Sequence, residues 1–477
     1  MYENLALFID GQWRSGDGRA TETVINPATE AALGELPHAT DADLDDALAA
    51  ARRAFGDWRR RSPTDRGAIL RQAAAILRAR AEEVAANLVA EEGKSLTESR
   101  IEVMVAAEVL DWSAEEGRRQ YGRLIPPRGP GFQQAVVPEP IGVCAQFAPW
   151  NFPAIFPARK ISEALAAGCT CIIKPSEEVP ASAIAIVRAL EEAGLPPGVV
   201  NLVFGVPDTI SRRLLASPVV RKLSFTGSIP VGKHLMRLAA DNMVKTTMEL
   251  GGHAPAIVFD DVDVDQVAAI LTASKFRNAG QVCNSPTRFF VHEAVYDRFA
   301  AALAAAARGV RVGNGMDDGV VMGPLANARR REAIEGFVAD ALDRGAELLA
   351  GGARLENKGF FYAPTILGDV PDTARIMREE PFGPVAALTR FADTDEMLAR
   401  ANGLPFGLAG YAYTRGLANA QAVRDGLQVG LLGINTPQIA LAETPFGGMK
   451  ESGHGSEGGS EGVAGYMTTK FVSQLAL

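Results

Sequence analysis

The chain has little cysteine and histidine and no long apolar run, and each shortage excludes a class of protein. Four cysteines among 477 residues are too few for a disulfide framework. The five histidines show no HExxH motif or paired ligand spacing, so we predict no bound metal. No stretch approaches the roughly 18 consecutive apolar residues of a membrane span. Because the first residues also lack the pattern of a signal peptide, we predict a cytoplasmic protein without a membrane partner.

Positive charge is also in short supply. The 48 Lys and Arg residues are outnumbered by 57 Asp and Glu residues, which gives a formal net charge of −9. A nucleic-acid-binding protein presents a basic patch, whereas the few basic pairs here lie in charge-mixed helical stretches. We therefore expect no nucleic-acid partner. The length and the 47% hydrophobic content instead predict a large globular core, with room for about three domains.

The order of predicted elements indicates an α/β fold. Residues 41–119 have a helical pattern that includes a Ser62-Pro63 start signal. Between 141 and 252, nearly all-apolar strands alternate with helices, which is typical of a doubly wound, Rossmann-like parallel sheet. A second α/β stretch runs from about 254 to 446. Sheets of the doubly wound kind bind ligands at the carboxyl ends of their strands, and several distinctive residues fall there.

A small β element is predicted outside these two stretches. Residues 121–140 change to proline, glycine and alternating apolar residues, which is typical of an extended hairpin that leaves the main body. The C-terminal TTKFVSQLAL alternates like one more strand. We expect that strand to pair with the hairpin.

Cys283 is the candidate nucleophile. It lies in the small polar loop FRNAGQVCNSP, and a thiol can be tuned toward thiolate only where it is accessible. Glu249 ends an apolar strand before two glycines, a position from which a carboxylate can face a cavity as a general base. Taken singly, an ordinary loop cysteine and a solvated glutamate are the simpler interpretations.

Other polar residues fall at predicted strand ends. Asn151 follows the strand CAQFAPW, where a side-chain amide can donate to an oxyanion or can form a turn. Lys174 ends the strand CTCIIKP, and Glu177 follows three residues later. Gly227 and Ser228 precede a helix predicted to begin three residues further on, whose free N–H groups suit a phosphate. This segment is neither a GxGxxG nor a Walker loop, so alone it is a weak signal.

Together and in this order, the blocks resemble those of the aldehyde dehydrogenase superfamily. They spread over about 300 residues, and the layout fits essentially the whole chain. The matching blocks are PWNFP (149–153), KPSEE (174–178), FTGS (225–228), ELGG (249–252), GQVC (280–283), EEPFGP (379–384) and PFGG (445–448). The resemblance implies the aldehyde dehydrogenase fold.

The resemblance also implies a mechanism. Cys283 would add to an aldehyde carbonyl, and the amide of Asn151 with the N–H of Cys283 would hold the oxyanion. After hydride transfer to a nicotinamide, Glu249 would activate the water that hydrolyses the resulting thioester. The family's cofactor positions fall on Trp150, Lys174, Glu177, Gly227, Ser228, Leu250, Glu380 and Phe382. A carboxylate at Glu177 accepts from a free ribose 2′-OH and repels a 2′-phosphate, which favours NAD as cofactor.

Three parts are implied by the same resemblance. They are an NAD-binding domain (1–120 and 141–252), a catalytic domain (253–446) and an oligomerisation element (121–140 and 447–477). Because an exposed hairpin needs a partner for its edge, a homodimer or homotetramer is expected.

Among relatives, the likeness is strongest to dehydrogenases of succinic and α-ketoglutaric semialdehydes. Arg159 and Arg277 match positions that bind the substrate's far carboxylate in succinate-semialdehyde enzymes, and two guanidiniums would select an acid-bearing aldehyde. Where some of those enzymes carry a serine, this chain has Ala440 and Leu441, and Gln438 is a candidate contact for a polar substituent. The loop leaves the chain length of the substrate open.

Other functions remain as alternatives. A broad-specificity enzyme for uncharged aldehydes would not need the two arginines. A CoA-acylating dehydrogenase has no need of a base for water, and Glu249 argues against it. An inactive binding or structural relative would be expected to lose the thiol, the amide or the base. A cysteine hydrolase would need a histidine partner, and only His292 lies near Cys283 in the sequence.

Overall fold

The protein, described by a computed structural model over residues 2–16, 18–355 and 358–476, is an α/β fold of two large sheets and smaller β elements. The helices are α1 (Asp41–Trp58), α2 (Pro63–Ala79), α3 (Ala81–Glu92), α4 (Leu96–Glu116), α5 (Ile155–Ala167), α6 (Pro180–Glu192), α7 (Pro207–Ala216), α8 (Ile229–Ala240), α9 (Val264–Phe276), α10 (Tyr296–Arg308), α11 (Ala328–Asp343), α12 (Thr394–Asn402), α13 (Leu417–Gly426) and α14 (Gly459–Gly465).

The strands in chain order are β1 (Leu7–Ile9), β2 (Gln12–Arg14), β3 (Thr21–Ile25), β4 (Ala32–Pro37), β5 (Arg123–Ile125), β6 (Phe132–Pro140), β7 (Val143–Phe147), β8 (Thr170–Lys174), β9 (Val200–Leu202), β10 (Val220–Gly227), β11 (Lys245–Leu250), β12 (Ala254–Val258), β13 (Pro286–His292), β14 (Glu347–Ala350), β15 (Thr365–Gly368), β16 (Val385–Phe391), β17 (Phe406–Gly407), β18 (Ala409–Tyr413), β19 (Leu431–Ile434), β20 (Met449–Lys450), β21 (Gly453–His454) and β22 (Met467–Leu475). Short 3-10 turns also occur, including Arg277–Gly280.

The predicted helical region consists of four helices with conventional ends. Ser62 caps α2 by accepting from the backbone N–H of Asp65, and Pro63 occupies the first turn. Gly93 ends α3 in the left-handed conformation, with φ of 98°. Ser95 then starts α4 with a capping box that includes Glu98. Helices α2, α3 and α4 pack against α5 and α6, whereas α1 packs against β8 and α7.

The first sheet is the predicted doubly wound one. Its strand order is β2-β1-β9-β8-β7-β10-β11-β21, and the five strands from β9 to β11 run parallel. The chain builds β7, β8 and β9 in one direction and then returns to place β10 on the other side of β7. The strand order therefore reverses between β7 and β10, and such a switch point opens a crevice at the carboxyl ends of the strands.

The second sheet has the order β14-β15-β16-β13-β12-β18-β19, and every pair except β14 with β15 is parallel. Its central strands β12 and β18 are buried along their whole length, as are β7 and β8 of the first sheet. Strands buried on both faces need continuous apolar sequence, which is the pattern that predicted them. Each sheet has its own hydrophobic core.

The C-terminal strand pairs with the hairpin, as predicted. β22 runs antiparallel to β6 from Met467 opposite Pro140 to Leu475 opposite Phe132, and β5 completes a three-stranded sheet. Within the predicted element 447–477, however, β21 pairs with β11 and so joins the first sheet. By strand pairing, the small sheet therefore begins at Met467 on this side. Among the described helices, none combines the length and the apolar character needed to cross a membrane.

Candidate active site

Parallel pairing in the first sheet gathers the predicted polar residues at one edge. In the register, Thr226 lies beside Glu249, and Gly227 lies beside Leu250. β7 ends at Phe147, four residues before Asn151, and it pairs with β10 on one side and β8 on the other. Strand ends alone therefore bring the candidate base, the candidate amide and the glycine turn to the crevice at the switch point.

Cys283 reaches the same place through a turn of unusual backbone conformation. Asn278, Ala279 and Gly280 all have positive φ, of 47°, 53° and 70°. A Cβ on Gly280 would lie 2.2 Å from the carbonyl oxygen of Gly383, so only glycine fits there. Non-glycine residues in this conformation cost energy, and the strain persists because surrounding contacts hold it. The tripeptide thus turns the chain from α9 toward the crevice and places Cys283.

Two cavities meet at Cys283. The first is lined by Lys94, Glu98, Ile101, Glu102, Val105, Phe152, Ile155, Phe156, Arg159, Arg277, Asn278, Cys283, Asn284, Ala440 and Phe446. The second is lined by Pro149, Trp150, Asn151, Phe156, Thr226, Gly227, Ser228, Glu249, Leu250, Gly251, Cys283, Arg330, Glu380 and Phe382. Their volumes of about 150 and 340 Å³ are many times the roughly 10–15 Å³ that one water molecule needs, so both can hold a ligand. The thiol therefore separates two ligand-sized spaces.

The thiol of Cys283 is neutral in this setting. Burial raises its pKa to about 12, with further contributions from the carboxylates of Glu380 and Glu249, while Arg277 opposes the shift. Glu380 is half-buried, and its loss of contact with water raises its pKa to about 7, while the backbone N–H of Gly252 donates to it at 3.3 Å. The site therefore keeps the nucleophile protonated until another charge enters.

Glu249 has a buried carboxyl group whose oxygens make no hydrogen bond within the described part of the chain. Its side chain is 2% exposed, and neither carboxyl oxygen has a hydrogen-bond partner among the described residues. Burial raises its pKa well above the ordinary value, and Glu457 adds to the rise, whereas Lys160 and Arg159 oppose it. A carboxyl with free lone pairs and a raised pKa has the properties of a general base for water.

The Asn151 side chain is fixed next to the cysteine loop. Its amide nitrogen donates to the carbonyl oxygen of Gln281 at 3.0 Å, two residues before Cys283. The backbone carbonyl of Asn151 accepts from the side-chain nitrogens of Lys94 at 2.9 Å and Asn278 at 3.0 Å. An amide donor held on both sides beside a thiol is arranged to stabilise an oxyanion.

Six of the predicted cofactor residues line the second cavity. They are Trp150, Gly227, Ser228, Leu250, Glu380 and Phe382. Lys174 and Glu177 lie at the end of neighbouring β8 instead, where their charges pair at 2.5 Å. Glu177 also accepts from the backbone N–H of Gly205 at 3.4 Å, at the end of β9. Six of the eight residues therefore follow the carboxyl edge of the first sheet, whereas Glu380 and Phe382 reach the cavity from the segment before β16 of the second sheet.

The second cavity has features suited to a phosphate-bearing ligand. Helix α8 begins at the edge of this cavity, with Ser228 as its N-cap residue. The Ser228 side chain makes no capping hydrogen bond in the described part of the chain, so the first N–H groups of the helix remain available to a phosphate. The rings of Trp150 and Phe382 meet edge to face, with centroids 5.5 Å apart. The Thr226 hydroxyl, also on the lining, is buried and has no partner among the described residues. A polar ligand would satisfy these groups.

The sequence analysis missed Arg330 at this cavity. One of its guanidinium nitrogens donates to the carbonyl oxygens of Pro381 and Phe382, so it fixes the segment that carries Glu380. In the sequence it is only half of a basic pair in a helix, and no local signal separates it from an ordinary surface arginine.

The two predicted substrate arginines share the first cavity with Cys283. Arg159 is 4% exposed and lies 5.7 Å from the ring of Phe446, whereas Arg277 is exposed and lies 5.4 Å from the ring of Phe152. Within the described residues, neither guanidinium has a carboxylate within 4.0 Å, and Nε of Arg159 has no hydrogen-bond partner. Two cations without a carboxylate within 4.0 Å among the described residues, in a cleft whose other charged lining residues are Lys94, Glu98 and Glu102, are suited to an anionic ligand.

Gln438 is not brought into this cavity. Its side chain is exposed, and the residue that lines the cleft from its loop is Ala440. Lys94, Glu98 and Glu102 line the cleft from the region of α3 and α4. The sequence analysis did not single them out, because the pattern of residues 41–119 indicated only helices and no functional residue. No cluster of three or more metal-ligating side chains occurs in the described part of the chain.

Comparisons with known proteins agree with this geometry. A family model described as "Aldehyde dehydrogenase family" matches residues 13–472. The 4-(hydroxymethyl)benzenesulfonate dehydrogenase TsaD1 of Comamonas testosteroni is 45% identical over 100% of this chain and 99% of its own length. Succinate-semialdehyde dehydrogenase (NADP(+)) GabD of Escherichia coli is 42% identical over 97% of this chain and 96% of its own. The crystal structure of succinate-semialdehyde dehydrogenase from Burkholderia pseudomallei superposes with a TM-score of 0.97 at 43% identity, covering 99% of this chain and 98% of that one.

The raised pKa of Cys283 predicts how alkylation depends on pH. In the cofactor-free protein, the rate of reaction with iodoacetamide should rise about tenfold per pH unit between pH 7 and 9, because the reactive thiolate is a small fraction far below the pKa. Mass spectrometry of the labelled peptide measures this rate. The other three cysteines are buried, so Cys283→Ser should abolish labelling. A rate that levels off below about pH 8.5 would contradict the raised pKa.

Proposed function

This chain belongs to the aldehyde dehydrogenase family, and we propose that it oxidises an aldehyde with an anionic tail to the acid, through a thioester on Cys283. The observation that carries the proposal is the position of the thiol between two cavities, one with two unpaired arginines and one with features suited to a phosphate-bearing ligand. The preferred substrate is a carboxylate-bearing semialdehyde, succinic or α-ketoglutaric, and the preferred cofactor is NAD.

In the proposed mechanism, the Cys283 thiolate adds to the aldehyde carbon. The amide of Asn151 and the backbone N–H of Cys283 donate to the oxyanion that forms, and each donor of this kind contributes about 3–4 kcal/mol. Bound in the second cavity, the nicotinamide would accept the hydride. Trp150 and Phe382 contact one another on the wall of that cavity and would position the ring.

Hydrolysis of the thioester is assigned to Glu249. Its two carboxyl oxygens have no partner among the described residues, so they are available to accept a proton from water. A CoA-acylating enzyme would not need this base. The hydrolase alternative is disfavoured because His292 is at the end of β13, nine residues from Cys283, and pairs with the ring of Phe391.

The anionic tail is assigned to Arg159 and Arg277. Arg159 lies inside the cleft on α5, and Arg277 lies at its exposed side, so the two contact an anion from different directions. Guanidiniums prefer oxyanions with two oxygens in one plane, which a carboxylate offers. Gln438, which was expected to contact a polar substituent, lies outside the cavity lining, and we do not assign it to substrate.

A sulfonate tail is the second candidate. The cleft has Ala440 where a hydroxyl would add a carboxylate-specific contact, and guanidiniums also bind sulfonates. A relative 45% identical to this chain is named for a benzenesulfonate. The apolar walls, which include Phe156 and Phe446, offer surface to a ring between the aldehyde and the anion.

The choice of NAD depends on Glu177. Its carboxylate pairs with Lys174 at the end of β8, and both residues match the family positions that would reach the adenosine ribose. A 2′-phosphate would have to displace or approach this negative charge. The relative GabD, 42% identical, is named for NADP(+), so the preference at Glu177 is proposed for this chain alone.

The three-part organisation is also part of the proposal. The sheet of β5, β6 and β22 would join copies of the chain into a homodimer or homotetramer. Its exposed apolar side chains, which include Leu124 at 85% and Phe471 at 58%, support an interface there.

Glu249→Gln should separate the two halves of the reaction. The variant should release about one NADH per active site in a burst and then turn over at least about 100-fold more slowly, because the acyl group stays on Cys283. Stopped-flow absorbance at the NADH band measures the burst, and intact-mass analysis measures the trapped acyl adduct. Cys283→Ser is the control and should show neither. If the variant had the same steady-state rate as the wild-type enzyme, Glu249 would have no part in the hydrolysis of the thioester.

Substrate preference tests the arginine pair. We expect kcat/KM for succinic or α-ketoglutaric semialdehyde to exceed that for hexanal by about 100-fold, equivalent to about 2.7 kcal/mol. Arg159→Gln should remove most of this preference and leave the hexanal rate within about threefold, and Arg277→Gln should remove less because that side chain is exposed. Initial rates with both acids and with 4-formylbenzenesulfonate decide between the two anions. Equal kcat/KM values for hexanal and for the semialdehydes would contradict the assignment of Arg159 and Arg277 to the anionic tail.

Cofactor preference tests Glu177. Wild-type enzyme should use NAD with a kcat/KM at least about tenfold above that for NADP, and Glu177→Gln should narrow the ratio to about twofold or less by removing the repulsion. The matched control is Glu178→Gln, the neighbouring glutamate, which pairs with Arg329 and should leave the ratio unchanged. A wild-type preference for NADP would overturn the assignment.

A further inference from the structure

We propose that Lys94 is a positioning residue that holds the oxyanion amide of Asn151 in place, acting as a buried ion pair with Glu102. The inference rests on the proposed role of Asn151. Lys94 lies just after α3 and is 57 residues from Asn151 in the chain. The two meet because the end of α3 is packed against the segment that follows β7.

Lys94 is hydrogen-bonded to the backbone of Asn151, the residue whose side-chain amide is proposed to hold the oxyanion. Its side chain is 1% exposed, and its ammonium donates to the carbonyl oxygen of Asn151 at 2.9 Å and to Glu102. Burial alone would lower the pKa of Lys94, but Glu102 and Glu92 outweigh it and raise the pKa above its ordinary value. The ammonium is therefore charged, and a charged donor fixes a carbonyl more firmly than a neutral one.

Glu102 holds the other side of the same segment. Its carboxylate accepts from the backbone N–H of Ala154 at 2.8 Å and of Ile155 at 3.4 Å. Ala154 is the N-cap of α5, and its methyl side chain cannot accept a hydrogen bond from the first turn. The Glu102 carboxylate from α4 therefore supplies the acceptor for the N–H groups at the start of the helix. The pair thus fixes Asn151 at one end and the start of α5 at the other.

The ring of Phe152 extends this contact across the substrate cavity. The Lys94 ammonium lies 4.3 Å from its centroid, and the Arg277 guanidinium lies 5.4 Å away. Aromatic rings attract cations over their faces, so the ring adjacent to Asn151 is held by cations from two separate segments. A small shift of the backbone at 151–152 would move both the oxyanion donor and the arginine contact.

These contacts distinguish Lys94 from a lysine that only stabilises the fold. Oxyanion donors act over a narrow range of distance, and a displacement of about 1 Å is enough to lower a rate about 100-fold. Lys94 also lines the cavity without an unpaired charge to offer the substrate, because its ammonium donates to Glu102 and to the Asn151 carbonyl and lies 3.7 Å from Glu92. It therefore acts on catalysis through Asn151.

The experiment is a double-mutant cycle between Asn151→Ala and the neutralising pair Lys94→Met/Glu102→Gln, in which the introduced amide keeps an oxygen for the Ala154 N–H. Enzyme is assayed with NAD and succinic semialdehyde, and rates are normalised to active sites counted by alkylation of Cys283. In otherwise unchanged enzyme, the pair should lower kcat/KM about 30- to 100-fold and change KM for NAD less than about threefold. On the Asn151→Ala background, the same pair should lower kcat/KM less than about threefold.

Each other result has a definite meaning. Losses that multiply in the combined variant would overturn the positioning role and leave the proposed function intact. An Asn151→Ala enzyme with unchanged kcat/KM would overturn the oxyanion role of Asn151 and, with it, the inference about Lys94. Glu102→Gln alone is the milder variant should the pair fold poorly, and it should lower kcat/KM about three- to tenfold and likewise lose its effect without Asn151.

Lys222→Met is the matched control. Lys222 is also fully buried, but it lies near the start of β10 and donates to Thr247, away from the carboxyl ends of the strands. Its replacement should lower stability and keep kcat/KM per active site within about threefold. A catalytic loss equal to that of the Lys94 pair would show that losing any buried ammonium is enough, and would overturn the inference.

Discussion

The parallel pairing of β7, β10 and β11 is the constraint on which the site depends. Backbone hydrogen bonds set Thr226 beside Glu249 and Gly227 beside Leu250, so the candidate base and the phosphate-binding turn share an edge before any side chain contributes. The reversal of strand order beside β7 opens the crevice at that edge. Everything else in the site is a segment brought to this edge from another part of the chain, and Cys283 is the clearest example.

Exclusion of water gives these groups their chemistry. Loss of contact with water raises the pKa values of the Cys283 thiol and of the Glu249 and Glu380 carboxyls, and the two carboxylates further raise the pKa of Cys283. A cationic ring beside the thiol, such as an oxidised nicotinamide, would offset that repulsion and favour the thiolate. The resting protein would thus keep its nucleophile protected, and reactivity would follow occupation of the second cavity.

The sequence predicted those parts of the fold that local pattern determines. The apolar strands predicted between 141 and 252 are β7 to β11 of the first sheet, and the predicted C-terminal strand pairs with the hairpin at 121–140. α8 begins at Ile229, two residues before its predicted start, because Pro230 is accepted in the first turn. Motif order also predicted residues that line the two cavities, although Gln438, Lys174 and Glu177 lie outside both linings.

Contacts between distant segments were not predictable. Lys94 reaches Asn151 across 57 residues, and Arg330 reaches Pro381 across 51, and neither has a local pattern that distinguishes it from a surface residue. The positive φ angles at Asn278 and Ala279 also have no sequence signal, since neither residue type is required for them. Such conformations are imposed by packing, here by the N–H of Asn278 donating to Glu98 at 2.9 Å.

Selection of the substrate follows from the different surroundings of the two arginines. Arg159 is buried and has no carboxylate within 4.0 Å in the described part of the chain, so under the proposed function an anion that reaches it would gain a strong, poorly screened interaction. Arg277 is exposed, where water and salt screen its charge, and it would guide the anion inward. The cleft would then select for negative charge at a fixed depth more strongly than for the shape of the anion, which is why both a carboxylate and a sulfonate are proposed as the tail.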